Sequence, residues 1–400
     1  MSKQTTRTLV PKLRFPEFAS TESWAETPLI NLIEEFREKS TIQDAFEVIT
    51  SAKNGLIRQK DYYNNNNRMA DRNNIGFNII PPNYLTYRSR SDDRRFFFNE
   101  NNLGITGIIS SYYPVFRLIK ASNKFFVELL SFHSNIVGKH SVGTSQTVLS
   151  LNELKRIKLP LPKNDEQQKI ADCLASIDEL ITAQTQKLDG LKTHKKGLMQ
   201  QLFPAEGETL PKLRFPEFRD AGEWDAKQLK DACLMQAGKF VKAAEIHEKS
   251  KDEFYPCYGG NGLRGFTQTF THTGKFSLIG RQGALCGNVN LAIGKFHATE
   301  HAVVTTPKEG VDTNWFFYML GYLNLNQYAT GQAQPGLSVE NLEKVLINIP
   351  KKEKEQQKIA DCLSSIDELI AAVSKKIDAL KTHKKGLMQQ LFPVVDEVDA

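Results

Sequence analysis

Residues 166–204 read EQQKIADCLASIDELITAQTQKLDGLKTHKKGLMQQLFP, and the stretch recurs almost unchanged at residues 355–393. Of the 39 aligned positions only seven differ, and all seven lie between positions 175 and 190 of the first copy. Both copies are typical of long helices, which would extend over about 55 Å at a rise of about 1.5 Å per residue. The rest of the chain is organised around these two helices.

Apolar residues in each copy recur at alternating spacings of four and three. In the first copy this seam consists of Ile170, Leu174, Ile177, Ile181, Gln184, Leu188, Leu191, Lys195, Leu198 and Leu202. In the second copy it consists of Ile359, Leu363, Ile366, Ile370, Val373, Ile377, Leu380, Lys384, Leu387 and Leu391. Such a repeat is the signature of a coiled coil. Because a lone helix would leave this stripe in water, we expect the two copies to pair with each other.

Composition places only broad limits on the protein. A chain of 400 residues with 40% hydrophobic residues can form two or three domains with cores of their own. The net charge of +6 is too small to identify a nucleic-acid partner by itself. The five cysteines include no CxxC pair, which predicts reduced, mostly buried thiols. The sequence has no apolar signal core and no run approaching about 18 apolar residues, so we expect a cytoplasmic protein.

A second repeat precedes each of the two variable regions. Residues 11–18 read PKLRFPEF and return at residues 211–218, and Trp24 and Trp224 follow at the same distance. Two prolines in eight residues exclude a helix interior and favour an extended conformation for these lead-in segments. Two interpretations remain open, a docking strand and a packed domain edge.

The regions between lead-in segment and helix share little identity, although their ends match. The predicted boundaries are 1–163 for a first globular domain with its lead-in segment, 164–204 for the first helix, 205–352 for a second globular domain with its lead-in segment, 353–393 for the second helix and 394–400 for a loose tail. Short strand patterns such as 84–88 and 108–116 alternate with helical ones such as 123–133 and 311–323. We therefore expect an α+β protein with two α/β-type domains and a duplicated frame. A constant frame around divergent inserts suits a holder for two different readers.

No motif in the chain predicts catalysis or a bound metal. Residues 78–84, NIIPPNY, are similar to the Asn-Pro-Pro-Tyr signature of adenine methyltransferases, but the order of residues is wrong. Residues 258–265, YGGNGLRG, lack the GK[ST] of a P-loop, which leaves a simple turn or a close approach of backbone to phosphate. His297 and His301 could share a helix face, but no third metal ligand is evident.

Polar residues in the two inserts are candidates for contact with nucleic acid. Arginine binds guanine with two hydrogen bonds, glutamine suits adenine, and hydroxyl groups suit phosphates and base edges. In the first insert the candidates are Tyr87, Arg88, Ser89, Arg90, Arg94, Arg95, Ser111, Tyr112, Thr144, Ser145 and Gln146. In the second insert they are Tyr258, Asn261, Arg264, Arg281, Gln282, Gln332 and Gln334. A solvated surface remains open for the arginine-rich loop, and a phosphate contact, a solvated face or a subunit contact for the helical segments 192–196 and 381–385.

The duplicated LRFPEF segments, the repeated EQQKIADCL…IDELI…LKTHKKGLMQQLFP helices and the divergent inserts resemble the specificity (S) subunits of type I restriction–modification enzymes. The segments YGGNGLRGF and LIGRQGALCGNV also resemble parts of the target recognition domains of that family. The resemblance implies that each variable domain reads one half of a split, asymmetric DNA target. It also implies that the helices pair antiparallel in a pseudo-two-fold cyclic frame and set the gap between the halves.

The resemblance further implies partners and cofactors outside this chain. Two modification subunits, which carry S-adenosylmethionine and the adenine methyltransferase activity, would dock on the frame. Two restriction subunits, which use ATP and Mg²⁺ for translocation and cleavage, would complete the assembly. The chain itself would hold no cofactor and no metal, and would not be an enzyme alone.

Two other functions remain open from the sequence: a coiled-coil scaffold with two protein-binding domains, and a self-contained DNA methyltransferase or nuclease. The absence of cofactor motifs argues against the second.

The cyclic frame makes a separate geometric prediction. Pro393 should lie relative to Pro11 as Pro204 lies relative to Pro211. The six residues between Pro204 and Pro211 reach at most about 25 Å, so Pro11 and Pro393 should also lie within that distance.

Overall fold

The computed structural model describes residues 9–52, 55–62, 73–283, 285–331 and 335–395. The chain divides into two compact units. Unit 1 comprises residues 1–184 and 376–400, and unit 2 comprises residues 185–375. None of the helices in the described ranges is long and apolar enough to cross a membrane.

Unit 1 contains short strands, short helices and the first part of a long helix. Its strands are β1 (Ala25–Pro28), β2 (Ile33–Phe36), β3 (Glu47–Ala52), β4 (Gly55–Arg58), β5 (Asn78–Ile80), β6 (Leu85–Tyr87), β7 (Arg90–Ser91), β8 (Phe98–Glu100), β9 (Gly107–Ile109), β10 (Val115–Leu118), β11 (Thr147–Val148) and β12 (Lys158–Leu161). Its helices are α1 (Gln59–Tyr62), α2 (Asn123–Phe132), α3 (Ser134–Lys139), α4 (Leu151–Arg156) and the long α5 (Asn164–Leu202), which continues into unit 2.

The strands of unit 1 form two four-stranded sheets and two small pairs. The sheet orders are β2-β10-β6-β8 and β4-β3-β9-β5, and the pairs are β1–β12 and β7–β11. Helix α2 starts at an N-cap, Ser122, whose hydroxyl accepts from the amide of Phe125. Its buried face joins a core rich in aromatic residues, to which α5 contributes Ile170 and Leu174.

Unit 2 has longer strands and a single large sheet. Its strands are β13 (Asp225–Gln228), β14 (Cys233–Ala237), β15 (Tyr255–Gly259), β16 (Gly262–Thr267), β17 (His272–Gly280), β18 (Val289–Ala298), β19 (Ala302–Pro307) and β20 (Leu346–Ile349). Its helices are α6 (Leu229–Ala232), α7 (Thr313–Tyr322), α8 (Val339–Glu343) and the long α9 (Glu353–Leu391), which ends in unit 1. Six strands form one sheet in the order β14-β19-β17-β18-β15-β16, and β13 pairs with β20.

The prediction of two long helices that pair antiparallel is confirmed within each unit. In unit 2, Lys195 near the end of α5 lies 2.6 Å from Asp367 in the first half of α9. In unit 1, Lys384 near the end of α9 lies 2.8 Å from Asp178 in the first half of α5. The two contacts join equivalent positions of the repeats. All seam positions of both helices are buried or half-buried, which fits an apolar stripe covered by a partner.

The lead-in segments depart from the predicted extended conformation in their last three residues, 16–18 and 216–218. Pro16–Phe18 and Pro216–Phe218 form 3₁₀ turns that begin with the proline. At this position the fixed φ of proline suits the turn, and its missing N–H removes no hydrogen bond. In unit 1 the segment contains Arg14, whose guanidinium donates two hydrogen bonds of 2.7 Å to the buried carboxylate of Glu166. The segment is therefore a packed edge rather than a docking strand.

The same buried cluster recurs in unit 2. Arg214 binds Glu355 with hydrogen bonds of 2.7 and 2.8 Å, and the indole of Trp224 donates to the same carboxylate at 3.2 Å. In unit 1 the indole of Trp24 donates to Glu166, also at 3.2 Å. Each carboxylate thus ties a lead-in segment and a tryptophan to the first turn of a long helix.

Some local predictions are confirmed and others are wrong. The strand at 84–88 and the helices at 123–133 and 311–323 are present as β6, α2 and α7. The single strand expected at 108–116 is two strands, β9 and β10, because the chain turns where the amide of Tyr113 donates to the carbonyl of Ser110. His297 lies in strand β18 and His301 in the turn after it, so they share no helix face.

Candidate functional site

Three loops of unit 1 meet at one surface, which we call the arginine surface. Strands β7 and β11 pair, with Arg90 opposite Val148. The hydroxyl of Ser89 donates to the carbonyl of Tyr112 at 2.6 Å, which ties in the third loop. The guanidinium of Arg90 lies 4.6 Å from the centre of the Tyr112 ring. The exposed members of this surface are Arg88, Arg90, Arg94, Arg95, Ser111, Tyr112, Thr144, Ser145 and Gln146.

Alternate residues of the arginine-rich segment point in opposite directions. Arg88 and Arg90 are exposed, whereas Tyr87, Ser89 and Ser91 are buried. The hydroxyl of Tyr87 donates to the carbonyl of Leu149 at 3.0 Å, and burial raises the pKa of this phenol. The prediction that Tyr87 and Ser89 contact nucleic acid is therefore wrong, because their buried side chains hold the loop to the core.

Internal hydrogen bonds shape the turn that presents the last two arginines. The carboxylate of Asp93 accepts from the hydroxyl of Ser91 at 2.8 Å and from the amide of Arg95 at 3.1 Å. These hydrogen bonds hold the pKa of Asp93 below its usual value, so the carboxylate stays charged. Arg94 has a left-handed φ of 59°, and its carbonyl lies so near Gly138 that a Cβ there would approach to 2.7 Å.

Acidic residues partly balance the charge of this surface, and they are not among the residues predicted from the sequence. The amide of Gln146 donates to Asp92 at 3.3 Å, and the guanidinium of Arg95 lies 4.0 Å from Asp93. Four arginines therefore stand beside two exposed carboxylates. The surface keeps a positive excess, and its glutamine is already oriented by a hydrogen bond.

The second candidate site is a cleft of about 520 Å³ in unit 2, which we call the hairpin cleft. The turn between β15 and β16 lines it together with Gln282, Gly283 and His301. The turn packs closely on β17, since a Cβ at Gly280 would lie only 1.9 Å from the carbonyl oxygen of Gly260. Three predicted residues meet in this cleft, namely Asn261, Arg264 and Gln282.

Two of the remaining candidates of the second insert, Arg281 and Tyr258, make contacts within the fold. Arg281 donates to the carbonyls of Leu337 and Glu300 at 3.3 and 3.5 Å, so its charge serves the fold. Tyr258 is half-buried and packs edge-on against Phe296. Gln332 and Gln334 lie outside the described residues. His301, considered only as a metal ligand from the sequence, lines the cleft, and its ring lies 3.2 Å from Glu300.

The basic segment 192–196 of α5 contains both exposed and half-buried side chains. Lys192, His194 and Lys196 are exposed, whereas Lys195 is half-buried against Asp367. No group of three or more histidine, cysteine, aspartate or glutamate residues suited to a metal ion occurs in the described part of the chain. Lys192 and Lys196 are therefore on the exposed side of α5, and Lys195 belongs to the helix pair.

Known proteins share both the sequence pattern and the geometry. The profile of the type I restriction modification DNA specificity domain matches the chain twice, at residues 30–193 and 221–382. This chain belongs to that family. The two matches cover one recognition region and part of one long helix each, which agrees with the duplication seen in the sequence and in the two units.

Two curated members of the family align with long parts of the chain. The EcoprrI specificity subunit of Escherichia coli is 35% identical over 241 residues, which are 59% of this chain and 59% of that relative's length. The MjaVIII specificity subunit of Methanocaldococcus jannaschii is 26% identical over 323 residues, covering 72% of this chain and 74% of the relative.

Solved structures of the family share the fold. The S subunit of a type I restriction–modification system from M. genitalium superimposes with a TM-score of 0.65 at 16% identity, over 97% of this chain and 100% of that one. A chain from a structural study of complex assembly and conformational transition in the type I restriction–modification system superimposes with a TM-score of 0.55. The match covers 92% of this chain and 96% of that one. The α+β architecture predicted from the sequence is therefore confirmed.

Proposed function

We propose that this specificity-family chain directs a type I restriction–modification assembly to a bipartite, asymmetric DNA target, with each unit reading one half. The observation that carries the proposal is that the buried parts of the duplicated frame are alike in the two units, whereas the two candidate sites differ. The buried clusters around Glu166 and Glu355 are alike in the hydrogen bonds that the tryptophan and the arginine donate to the carboxylate. The arginine surface instead presents four exposed arginines, whereas the hairpin cleft contains Asn261, Arg264 and Gln282.

The chemistry of the two surfaces fits contact with a duplex. Exposed arginines supply phosphate contacts and bidentate contacts to guanine, and a Tyr112 ring beside Arg90 adds a flat apolar face. In the hairpin cleft, Asn261 and Gln282 carry the amide groups that suit adenine, and Arg264 supplies a cation. Different side chains at the two surfaces support two different half-targets.

Partners would supply the catalytic chemistry. Exposed apolar side chains that recur at equivalent positions support the docking of two copies of one partner: Leu180 and Leu369 are 52% and 51% exposed, and Leu13 and Leu213 are 41% and 42% exposed. We assign these exposed leucines, which recur in the two units, to contacts with two modification subunits that carry S-adenosylmethionine. Two restriction subunits that use ATP and Mg²⁺ would complete the assembly in the cytoplasm, and this chain would contribute no catalytic group.

The experiment that tests the proposal is methylation mapping. The chain is co-expressed with its cognate modification subunit in a host without other adenine methyltransferases, and methylated adenines are mapped across the genome. We expect one motif with two defined halves and an undefined gap, and no methylation from either subunit alone. Methylation by this chain alone would indicate a self-contained methyltransferase. DNA binding that ignores sequence and disappears at moderate salt would indicate a protein-binding scaffold.

An exchange of one insert separates the two readers. Residues 19–163 are replaced by the matching insert of another specificity subunit, and the map is repeated. Only one half of the motif should change, because the other unit keeps its own surface. A change in both halves, or in neither, would contradict the assignment of one half-target to each unit.

A further inference from the structure

Each of the two seams contains one lysine. Lys195 and Lys384 occupy the same position in the two helix copies, in seams that are otherwise almost entirely apolar. Lys195 makes hydrogen bonds of 2.6 and 2.7 Å to Asp367, and Lys384 makes one of 2.8 Å to Asp178. A half-buried charge in such a seam costs desolvation free energy, and its best-attested use is to fix register.

Each lysine–aspartate pair has a third member, and that member comes from a recognition region. In unit 1 the carboxylate of Glu128 accepts from Lys384 at 2.7 Å. In unit 2 the hydroxyl of Tyr318 donates to Asp367 at 2.8 Å, and Lys195 lies 5.0 Å from the centre of the tyrosine ring. The lysine and the aspartate are the same in both units, and only the third residue differs.

Glu128 and Tyr318 hold equivalent places in equivalent helices. Glu128 is the sixth residue after Ser122, the N-cap of α2, and Tyr318 is the sixth after Asp312, the N-cap of α7. The two helices begin alike. In unit 1 the side-chain oxygen of Gln167 accepts from the amide of Ser122 at 3.1 Å.

In unit 2 the corresponding glutamine, Gln356, accepts from the amide of Asp312 at 2.8 Å. Each of these short helices is thus tied to the long helices at its start and again about 9 Å further on, at about 1.5 Å per residue. Two separated ties fix the rotation of a helix as well as its position.

The protonation states fit these roles. Burial acts to lower the pKa of Lys384, but the hydrogen bonds to Asp178 and Glu128 outweigh it, and the pKa is raised. Burial and the hydrogen bond to Asp367 raise the pKa of Tyr318, so its hydroxyl remains a donor. Unit 1 therefore has one cation between two carboxylates, and unit 2 has one ion pair with a neutral donor.

We propose that this position of the short helix, Glu128 in unit 1 and Tyr318 in unit 2, is a positioning residue that locks each recognition domain onto the constant lysine–aspartate pair in one orientation. The proposal rests on the proposed function. The lysine–aspartate pair can be completed in two ways. Either a hydrogen-bond acceptor binds the lysine, as Glu128 does, or a hydrogen-bond donor binds the aspartate, as Tyr318 does. An exchangeable recognition domain must therefore present one of these two groups at this position, whatever bases it reads.

The orientation of the domains should be visible in the gap of the target and not in its bases. In Glu128→Leu the lock is lost while the arginine surface is untouched. We expect both half-sequences to persist, and the preference for the wild-type gap over gaps one base pair longer or shorter to fall about tenfold, equivalent to about 1.4 kcal/mol. Glu128→Tyr, which copies unit 2, should keep the preference. The matched control is Lys381→Met, which removes an exposed lysine from the same helix as Lys384.

A second measurement does not depend on DNA. The free chain is unfolded with urea as wild type, Glu128→Gln, Lys384→Met and the double variant, and the coupling between the two positions is taken from the cycle. Hydrogen exchange of the amides in α2 is measured on each. We expect a favourable coupling and faster exchange confined to α2.

The outcomes separate the positioning role from the proposed function. An unchanged gap preference in a folded Glu128→Leu complex, or a change in base sequence instead, would overturn the positioning role. Zero coupling in the cycle would also overturn it. If the wild-type complex reads no bipartite target, the proposed function fails, whereas a coupling measured on the free chain still establishes the lock.

Discussion

The backbone amide of Leu13 donates a hydrogen bond of 3.0 Å to the carbonyl oxygen of Gln390, so the first and last parts of the described chain meet in unit 1. In unit 2 the equivalent amide, that of Leu213, donates to the equivalent carbonyl, that of Gln201, at 2.9 Å. Leu13 and Gln390 therefore meet in unit 1 as Leu213 and Gln201 meet in unit 2, although only the second pair is close in the sequence. The prediction that Pro11 and Pro393 lie within about 25 Å is confirmed, because each is two or three residues from this hydrogen bond.

This closure predicts that the chain tolerates circular permutation. The chain is opened between Pro204 and Pro211, and residue 400 is joined to residue 1. The hydrogen bond between Leu213 and Gln201 then joins the new ends and preserves the packing, so we expect an unfolding midpoint near that of the wild type and the same methylation motif. The control is an opening inside α5, between Gly190 and Leu191, which should abolish folding. A permutant that fails as completely as the control would contradict the cyclic frame.

The buried ion pairs of the lead-in segments predict a large and matched loss of stability. The side chains of Arg14 and Glu166 are 9% and 2% exposed. Because Arg14→Met leaves a buried carboxylate with only an indole N–H, we expect a loss of about 3 kcal/mol in urea unfolding. Arg214→Met should cost a similar amount, since Glu355 is 1% exposed. Lys163→Met removes an exposed partner of Glu22 and should have almost no effect. Equal effects of the buried and exposed variants would contradict this ranking.

The leucines repeated on the frame predict where a partner binds. Leu180→Asp combined with Leu369→Asp should abolish co-purification with the modification subunit, because both side chains are about half exposed and their replacement disturbs little packing. Each single variant should lose one of two bound copies. Leu234→Asp is the matched control, since Leu234 is 64% exposed but has Glu34 at the corresponding place in unit 1. Normal partner binding by the folded double variant would show that Leu180 and Leu369 do not contact the modification subunit.

The sequence predicts the frame better than the surfaces. A repeat of 39 residues with an apolar seam predicts two paired helices, because pairing of the two copies covers both stripes. The extended conformation expected for the lead-in segments is wrong at residues 16–18 and 216–218, since proline excludes a helix interior but is favoured at the first position of a 3₁₀ turn. Composition alone does not distinguish these two uses of proline.

The candidate sites show where residue type stops being informative. Tyr87 and Arg281 carry the same chemistry as their exposed neighbours, yet their hydroxyl and guanidinium groups bind carbonyls of distant segments. Only the fold determines such partners. For Tyr87 the sequence does contain a signal: in an alternating strand, residues next to exposed Arg88 face the core. For Arg281 no local pattern distinguishes a half-buried guanidinium that binds carbonyls from an exposed one.

The arginine surface predicts a specific change in the salt dependence of DNA binding. Replacing Arg88, Arg90, Arg94 and Arg95 with alanine should weaken binding without lowering the unfolding midpoint, because all four are exposed. The slope of log K against log salt should fall by about 0.9 for each phosphate that the variant no longer neutralises. Arg117→Ala with Arg156→Ala is the control, because these exposed arginines pair with Glu34 and Glu153. Binding unchanged in affinity and slope would make the loop a solvated surface, whereas a relaxed half-target would indicate base contacts.

His133 predicts a pH dependence that is confined to unit 1. Its ring is buried, the Nε2 atom has no partner among the described residues, and burial lowers its pKa from 6.5 to about 4. The unfolded chain therefore takes up a proton before the folded chain does. The contribution of the neutral ring is complete above about pH 6.5 and is lost as the pH falls toward 4, by up to about 3 kcal/mol.

The repeat itself supplies the variant that tests this effect. Leu323 ends α7 where His133 ends α2, and it packs against the apolar core of unit 2. His133→Leu should therefore remove the loss of stability between pH 7 and pH 5 and leave stability at pH 7 equal or higher. The urea midpoint of wild type and variant is followed across this range, with the exposed His383→Gln as control. Carboxylates titrate in all three proteins and cancel in the comparison. Parallel pH curves for wild type and His133→Leu would mean that the ring finds a partner for its proton inside the folded unit.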